Sequence, residues 1–313
     1  MAPTDPFSLP FASYAWQCAQ KPCDKRGHFS LGWAFNLFED FQPGEIVAVD
    51  KRSNLKHCHA IVAQQIPQVG IPHDELRAAL ALQGQARLDT VDGEADRDPK
   101  NPTVSRVLLH FPGGLGSFSA SRLTRVLPSS PQRVLLVNET ITYRRLAKTQ
   151  VGKADGVLEI GSSFGECTQI LTKHARAVIG IDNSPELVEE SRRRFPFCQI
   201  ELLNCFERER LQFICTQLQE GTENFKIFVD IGGDRTSTAV CRILVLLDEV
   251  LGSSSPLLRG PCLVVVKSER LASAAAESCD TAGNICNLPE WWQSCVVPSS
   301  TRQQRKWGMN FTG

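Results

Sequence analysis

From residue 134 onward, short apolar runs alternate with amphipathic stretches. Val134–Val137, Val157–Ile160, Ala177–Ile181, Cys198–Leu203, Phe225–Asp230 and Cys262–Val266 read as strands. Between them the spacing predicts helices over Glu139–Thr149, Glu166–Ala175, the stretch after Ser184, residues 206–219, and Ser237–Leu251. In 206–219, Leu211, Ile214, Cys215 and Leu218 fall at i, i+3, i+4 and i+7, one face of a helix. Ser184 suits an N-cap, with Pro185 and Glu186 in the first turn. Strands alternating with helices predict an α/β domain built on a parallel sheet with helices on both faces.

The first third has a different pattern. Glu45–Asp50, His59–Ala63 and Val104–Phe111 read as short strands, and Pro43-Gly44 and Pro112-Gly113-Gly114 are turn signals. This predicts a small β-barrel. Leu76–Leu82 reads as a short helix, and the acid-rich residues 83–103 as a solvated insertion. The expected division is a β-rich domain over residues 1–135 and an α/β domain over 136–313.

The chemistry concentrates at the first turn of the α/β region. The run Val157-Leu158-Glu159-Ile160 enters Gly161-Ser162-Ser163-Phe164-Gly165, a helix follows, and the next strand ends on Asp182. Glycines permit a sharp bend and close approach of a ligand, and the helix N–H groups then face that ligand. An acid about 20 residues beyond such a turn accepts hydrogen bonds from ribose hydroxyls. A dinucleotide site would have G-x-G-x-x-G, whereas here the third position is Ser163 and Glu159 stands where a pyrophosphate would be repelled. The pattern favours a ligand with a ribose and a cationic end.

Glu159-x-Gly161-x-x-x-Gly165 followed by Asp182 resembles the first motif and following acid of class I S-adenosylmethionine-dependent methyltransferases, over roughly residues 140–313. The resemblance implies a Rossmann-like fold, S-adenosylmethionine as cofactor, and a cofactor set of Glu159, Gly161, Ser162, Ser163, Gly165, Asp182, Asn183, Asn204 and Asp230. Asn204 stands where that family commonly has Asp. Lys148, Asp230 and Lys267 are similar to the Lys-Asp-Lys core of ribose 2′-O-methyltransferases of the FtsJ and fibrillarin types. There a lysine held by an acid activates the ribose hydroxyl. The run Ser299–Trp307 resembles the last strand of the FtsJ type, but Lys306 falls near that family's closing acid, and the turn after Gly161 lacks its Ala-Pro-Gly. RNA is therefore the expected acceptor. The alternatives are a protein or small-molecule acceptor, or a catalytically silent scaffold in an RNA–protein assembly. In the N-terminal region, Pro43-Gly44-Glu45-Ile46-Val47-Ala48-Val49-Asp50, His59-Ala60-Ile61-Val62 and Val107–Gly113 are similar to Tudor- or chromo-type barrels, which often hold methylated side chains in an aromatic cage, for which Phe111 and Phe41 are the candidates here. A barrel that packs on the enzyme domain or a partner is the other reading.

Composition narrows the partners. The chain has 313 residues, with 34 basic and 34 acidic side chains, so any contact to RNA must come from a local patch. Arg144, Arg145, Lys148, Lys267, Arg302 and Arg305 are the candidates. Arg192, Arg193 and Arg194 suit the end of a helix. No apolar run reaches membrane-spanning length and the N-terminus lacks a secretion signal, so a soluble protein of the cytoplasm, nucleus or an organelle is expected. The 12 cysteines then read as thiols. Cys18, Cys23, His28 and His57-Cys58-His59 do not have a standard zinc spacing, and no metal is expected. Pro261-Cys262 opens a strand, which speaks against a cytosine-C5 nucleophile.

Overall fold

The computed structural model describes residues 9–19, 37–38, 41–49, 58–66, 106–111, 114–231, 237–251 and 258–278, with Ile285 and Trp292. The expected helix at Leu76–Leu82, the insertion at 83–103 and the run Ser299–Trp307 lie outside them. The chain divides into two compact units.

The larger unit is a seven-stranded sheet. Its strands are β1 (Ala15–Cys18), β7 (Arg133–Val137), β8 (Asp155–Ile160), β9 (Ala177–Asp182), β10 (Ile200–Leu202), β11 (Asn224–Val229) and β12 (Leu263–Lys267), in the order β1-β7-β12-β11-β8-β9-β10. Every neighbouring pair is parallel. The connections include α1 (Thr140–Thr149), α2 (Glu166–His174), α3 (Pro185–Arg194), α4 (Arg208–Gln219) and α5 (Ser237–Leu251), and α6 (Glu269–Ala276) follows β12. All six residues of β8 are buried, as expected of a central parallel strand covered on both faces.

Strand alternation decides what each face meets. Leu158, Ile160, Ile227, Val229, Val264 and Val266 form one core with Leu211, Ile214 and Leu218 of α4 and Val240, Leu244 and Leu247 of α5. On the other face the Tyr143 ring of α1 packs edge-on against Phe228, centroids 5.5 Å apart. The fold is a Rossmann-like α/β fold with helices on both faces. Ser184 caps α3, its hydroxyl accepting from the Leu187 N–H at 3.3 Å, with Pro185 in the first turn. Among the described residues, no helix is long and apolar enough to cross a membrane.

The smaller unit is a five-stranded antiparallel sheet of β2 (Ile46–Val49), β3 (Cys58–Ile66), β4 (Arg106–Phe111), β5 (Gly114–Ser119) and β6 (Leu123–Arg125), in the order β5-β4-β3-β2-β6. Four strands form a meander. A single 3₁₀ turn, Ala120–Arg122, then leads into β6, which returns to pair with β2. Its core is Phe41, Val47, Val49, Ala60, Val62, Val107, Leu109, Phe118 and Leu123.

The boundary differs from the sequence expectation. β1 and β7 belong to the large sheet, in register from Ala15↔Arg133 to Cys18↔Leu136. The small unit runs from residue 36 to 128, with 148–150, and is inserted between these two strands of the large one. Trp16 and Cys18 bury their side chains in the large core, but a four-residue strand is too short to show a period.

Candidate functional site

The topology selects one end of the large sheet. The chain runs outward from β8 through β9 to β10, then returns to start β11 on the other side of β8. Ligands of open parallel sheets bind outside the carboxyl ends of the strands at this switch point. A cleft of about 650 Å³ lies there, within the size range of small-molecule sites. It is lined from the end of β8 by Ile160, Gly161 and Ser163, from β9 by Asp182 and Asn183, from β10 by Leu203, Asn204 and Phe206, and from β11 and β12 by Asp230, Ile231 and Lys267.

The turn after β8 is fixed by backbone geometry. Gly161 has φ +85°, and a Cβ there would sit 2.2 Å from the Asp230 carbonyl oxygen. Only glycine permits that approach. Ser163 also takes a left-handed conformation, φ +48°. Its N–H donates to Asp182 Oδ2 at 2.9 Å, and the Ser184 N–H donates to Asp182 Oδ1 at 3.0 Å. The Asp182 carboxylate thus ties the turn to β9. A carboxylate has about four acceptor positions, so two remain for a ligand's hydroxyls. Gly165, φ +79°, precedes α2, where no side chain caps the helix N–H groups.

The far end of the cleft holds an ion pair. Lys267 Nζ donates to Asp230 Oδ1 at 3.1 Å and Oδ2 at 2.9 Å, and both side chains are about one quarter exposed. At the other end Asn204 Oδ1 accepts from the Phe206 N–H at 3.1 Å, which leaves its amide N–H₂ to donate. The Arg242 guanidinium lies 4.9 Å from the Phe206 ring centre. Cys205 also lines the cleft, and burial pushes its thiol up to about 11, so it is protonated at neutral pH.

Of the site residues expected from sequence, Gly161, Ser163, Asp182, Asn183, Asn204, Asp230 and Lys267 share this cleft. Glu159, Ser162, Gly165 and Lys148 are not among the residues lining it. Glu159 lies on the opposite side of β8 from Leu158 and Ile160, facing α1 and α2. It is 1 % exposed, and its carboxylate accepts from the Thr168 hydroxyl. Burial pushes its carboxyl up to about 7, and the Asp230 charge acts in the same direction, while Thr168, Cys167 and Arg144 oppose the rise. Ser162 is buried beneath the turn, and its hydroxyl has no partner. Gly165 shapes the bend from outside the cleft, packed against Ile200, Phe195 and Ser191. Lys148 is half-buried near the end of α1.

Two residues of the expected basic patch, Arg144 and Lys267, stand in local pairs. Lys267 holds Asp230, Arg144 lies 3.8 Å from Glu166, and Arg302 and Arg305 are outside the described residues. In α3, Arg193 pairs with Glu190, Arg194 pairs with Glu166, and Arg192 donates to the Ile200 carbonyl. Phe41 is fully buried with Arg125 over its ring, and Phe111 packs on Phe118, centroids 5.5 Å apart. Cys262 is half-buried at the amino end of β12, the opposite end from Lys267. Sequence reasoning missed the cleft walls at Leu187, Cys205, Phe206 and Ala239. Cys205 and Phe206 follow a predicted strand end directly, and that position was their signal.

No family model matches the chain, and no curated protein matches it. Among solved structures it is similar to the crystal structure of 23S rRNA methyltransferase ErmE, at 18 % identity and a TM-score of 0.29. The match covers 45 % of this chain and 51 % of that one, so the chain spans about half the length of that neighbour.

Proposed function

We propose that the cleft binds S-adenosylmethionine and that the chain is a methyltransferase acting on RNA, with a ribose 2′-hydroxyl as the acceptor. The observation that carries the cofactor reading is Asp182. Its carboxylate stands at the end of β9, anchored by two backbone N–H groups, with two acceptor positions left for a ribose diol. The donor set fits this cofactor. Asn204 offers an amide at the end walled by Leu203 and Phe206, and among the described residues the cleft combines Asp182 and Asp230 with Lys267. Two carboxylates against one ammonium suit a ligand that carries ammonium and sulfonium groups and no phosphate.

When bound, the cofactor supplies an electrophilic methyl group. The chain's own part is to hold and polarise the acceptor. The Lys267 ammonium, gripped by both Asp230 oxygens, keeps one N–H free to donate to an acceptor hydroxyl oxygen, lowering its pKa and stabilising the developing alkoxide. Asp230 fixes the direction of that donor. The smaller unit reads as an SH3- or Tudor-like domain from its strand order and the 3₁₀ turn before its last strand. Because Phe41 is buried, a role in docking a partner is favoured over an aromatic cage.

The test is transfer of labelled methyl from the donor into fractionated RNA. Wild type should label RNA, and Lys267→Met should lose roughly 10²–10⁴-fold in turnover, the usual share of such a group, while still binding the donor. Lys148→Met should stay within about threefold of wild type, since this half-buried side chain is not among the residues lining the cleft. Labelling of protein with no labelling of RNA would overturn the RNA assignment.

A further inference from the structure

We infer that Glu159 is a specificity-determining residue which, by exchanging a proton, makes the cleft hold the cationic methyl donor more tightly than its neutral thioether product. The inference rests on the cofactor reading above and concerns how the same site tells its substrate from its spent form.

Glu159 is sealed from water at 1 % exposure, yet Gly161, two residues along the chain, lines the cleft. The groups facing its carboxyl are Tyr143 and Arg144 from α1, Cys167 and Thr168 from α2, and Asp230 at the end of β11. Thr168 and Cys167 give it neutral hydrogen bonds. Of the nearby cations, Arg144 acts on Glu159 through its charge and lies 3.8 Å from Glu166, and Lys267 holds Asp230. The Tyr143 hydroxyl, itself buried, has no hydrogen-bond partner among the described residues and adds no charge. Glu159 is therefore a buried carboxyl two residues from the ligand site which, among the described residues, forms no ion pair, the Arg144 charge only partly offsetting its burial. Desolvation pushes it up to about 7, which brings its titration into the neutral range.

A positive ligand in the cleft favours the ionised carboxylate, and linkage makes the converse equally true. S-adenosylmethionine carries a carboxylate, an ammonium and a sulfonium, a net charge of about +1 at neutral pH. Loss of the methyl converts the sulfonium to a thioether and leaves a net charge near zero. The two molecules otherwise present the same groups, so one unit charge separates them. A unit charge about 10 Å from another in a protein interior changes affinity on the order of tenfold. Below pH 7 Glu159 is neutral and the discrimination is absent. Above pH 7 it is ionised, and the discrimination is present.

Calorimetry of S-adenosylmethionine and S-adenosylhomocysteine at pH 6 and pH 8, on wild type and Glu159→Gln, tests this. In wild type the product-to-donor ratio of Kd should rise on the order of tenfold between the two pH values. In Glu159→Gln it should stay nearly constant. Titration of the ligands' own amines is common to both proteins and cancels in the comparison. A second readout needs no variant. Near pH 7 the donor should release protons from the wild-type protein on binding, in buffers of different ionisation enthalpy, and the product should release fewer. A constant wild-type ratio, equal proton release by both ligands, or an equal shift in Glu159→Gln would overturn the role of Glu159. Failure of both ligands to bind at either pH would overturn the cofactor reading itself.

Discussion

Replacing Glu159 by Gln removes a buried carboxyl of the large unit that titrates near neutrality. The group is 1 % exposed, so solvent screening does not reduce the effect. Burial raises its pKa from 4.5 to about 7. In the unfolded chain the carboxyl loses its proton near 4.5, and in the folded protein near 7. Between those values the folded state binds the extra proton, so wild-type stability falls as pH rises through this window and levels off above it. Moving the carboxyl from 4.5 to about 7 corresponds to roughly 3 kcal/mol in all, most of it between pH 5 and pH 8. Gln does not titrate. Urea unfolding of both proteins at half-unit pH steps should therefore show the variant gaining roughly 2–3 kcal/mol relative to wild type from pH 5 to pH 8. The change with pH is the readout, because the amide's own hydrogen bonds to Thr168 offset the curves by a constant. A stability difference that does not vary with pH, or one that moves the other way, would refute a buried carboxyl held near 7.

Two other substitutions test the fold around the cleft. Gly161→Ala forces a Cβ to within 2.2 Å of the Asp230 carbonyl at φ +85°, so it should cost several kcal/mol in thermal or urea unfolding and abolish donor binding. Near-wild-type stability would mean the turn is more open than described. Lys226→Met should destabilise by about 3 kcal/mol in urea unfolding, because it strips the buried Asp155 carboxylate of an ammonium at 2.7 Å; a cost under about 1 kcal/mol would show that the Gly152 N–H and the Asn224 amide suffice.

The parallel sheet was legible because its strands are apolar on both faces and its turns are marked by glycine and acids. Gly161, Asp182 and Asp230 each stand where an apolar run stops, and a parallel sheet brings all such stops to one edge. Elements too short or too weakly patterned were not. β1 has four residues, β5 carries Gly114 and Gly116, and α6 follows its Ser268 cap for only eight residues. Glu159 was assigned to the cofactor by motif; period-2 alternation sets it opposite Leu158 and Ile160, bonded to Thr168 of α2 and outside the cleft lining. Lys148 was chosen as the first lysine of the Lys-Asp-Lys resemblance; spacing along α1 does not say which turn of the helix meets the strand ends. The domain boundary was missed because it depends on β1 pairing with β7, more than 100 residues away, which no local pattern encodes.

The most direct measurement is a calorimetric titration of S-adenosylmethionine into wild type and Asp182→Ala, with circular dichroism to establish that both are folded. Micromolar binding by wild type and its loss in the variant is the expected result, because the ribose acceptor and the anchor of the Ser163 turn go together. A folded wild-type protein that takes up no S-adenosylmethionine would contradict the cofactor site and leave the cleft to another ligand.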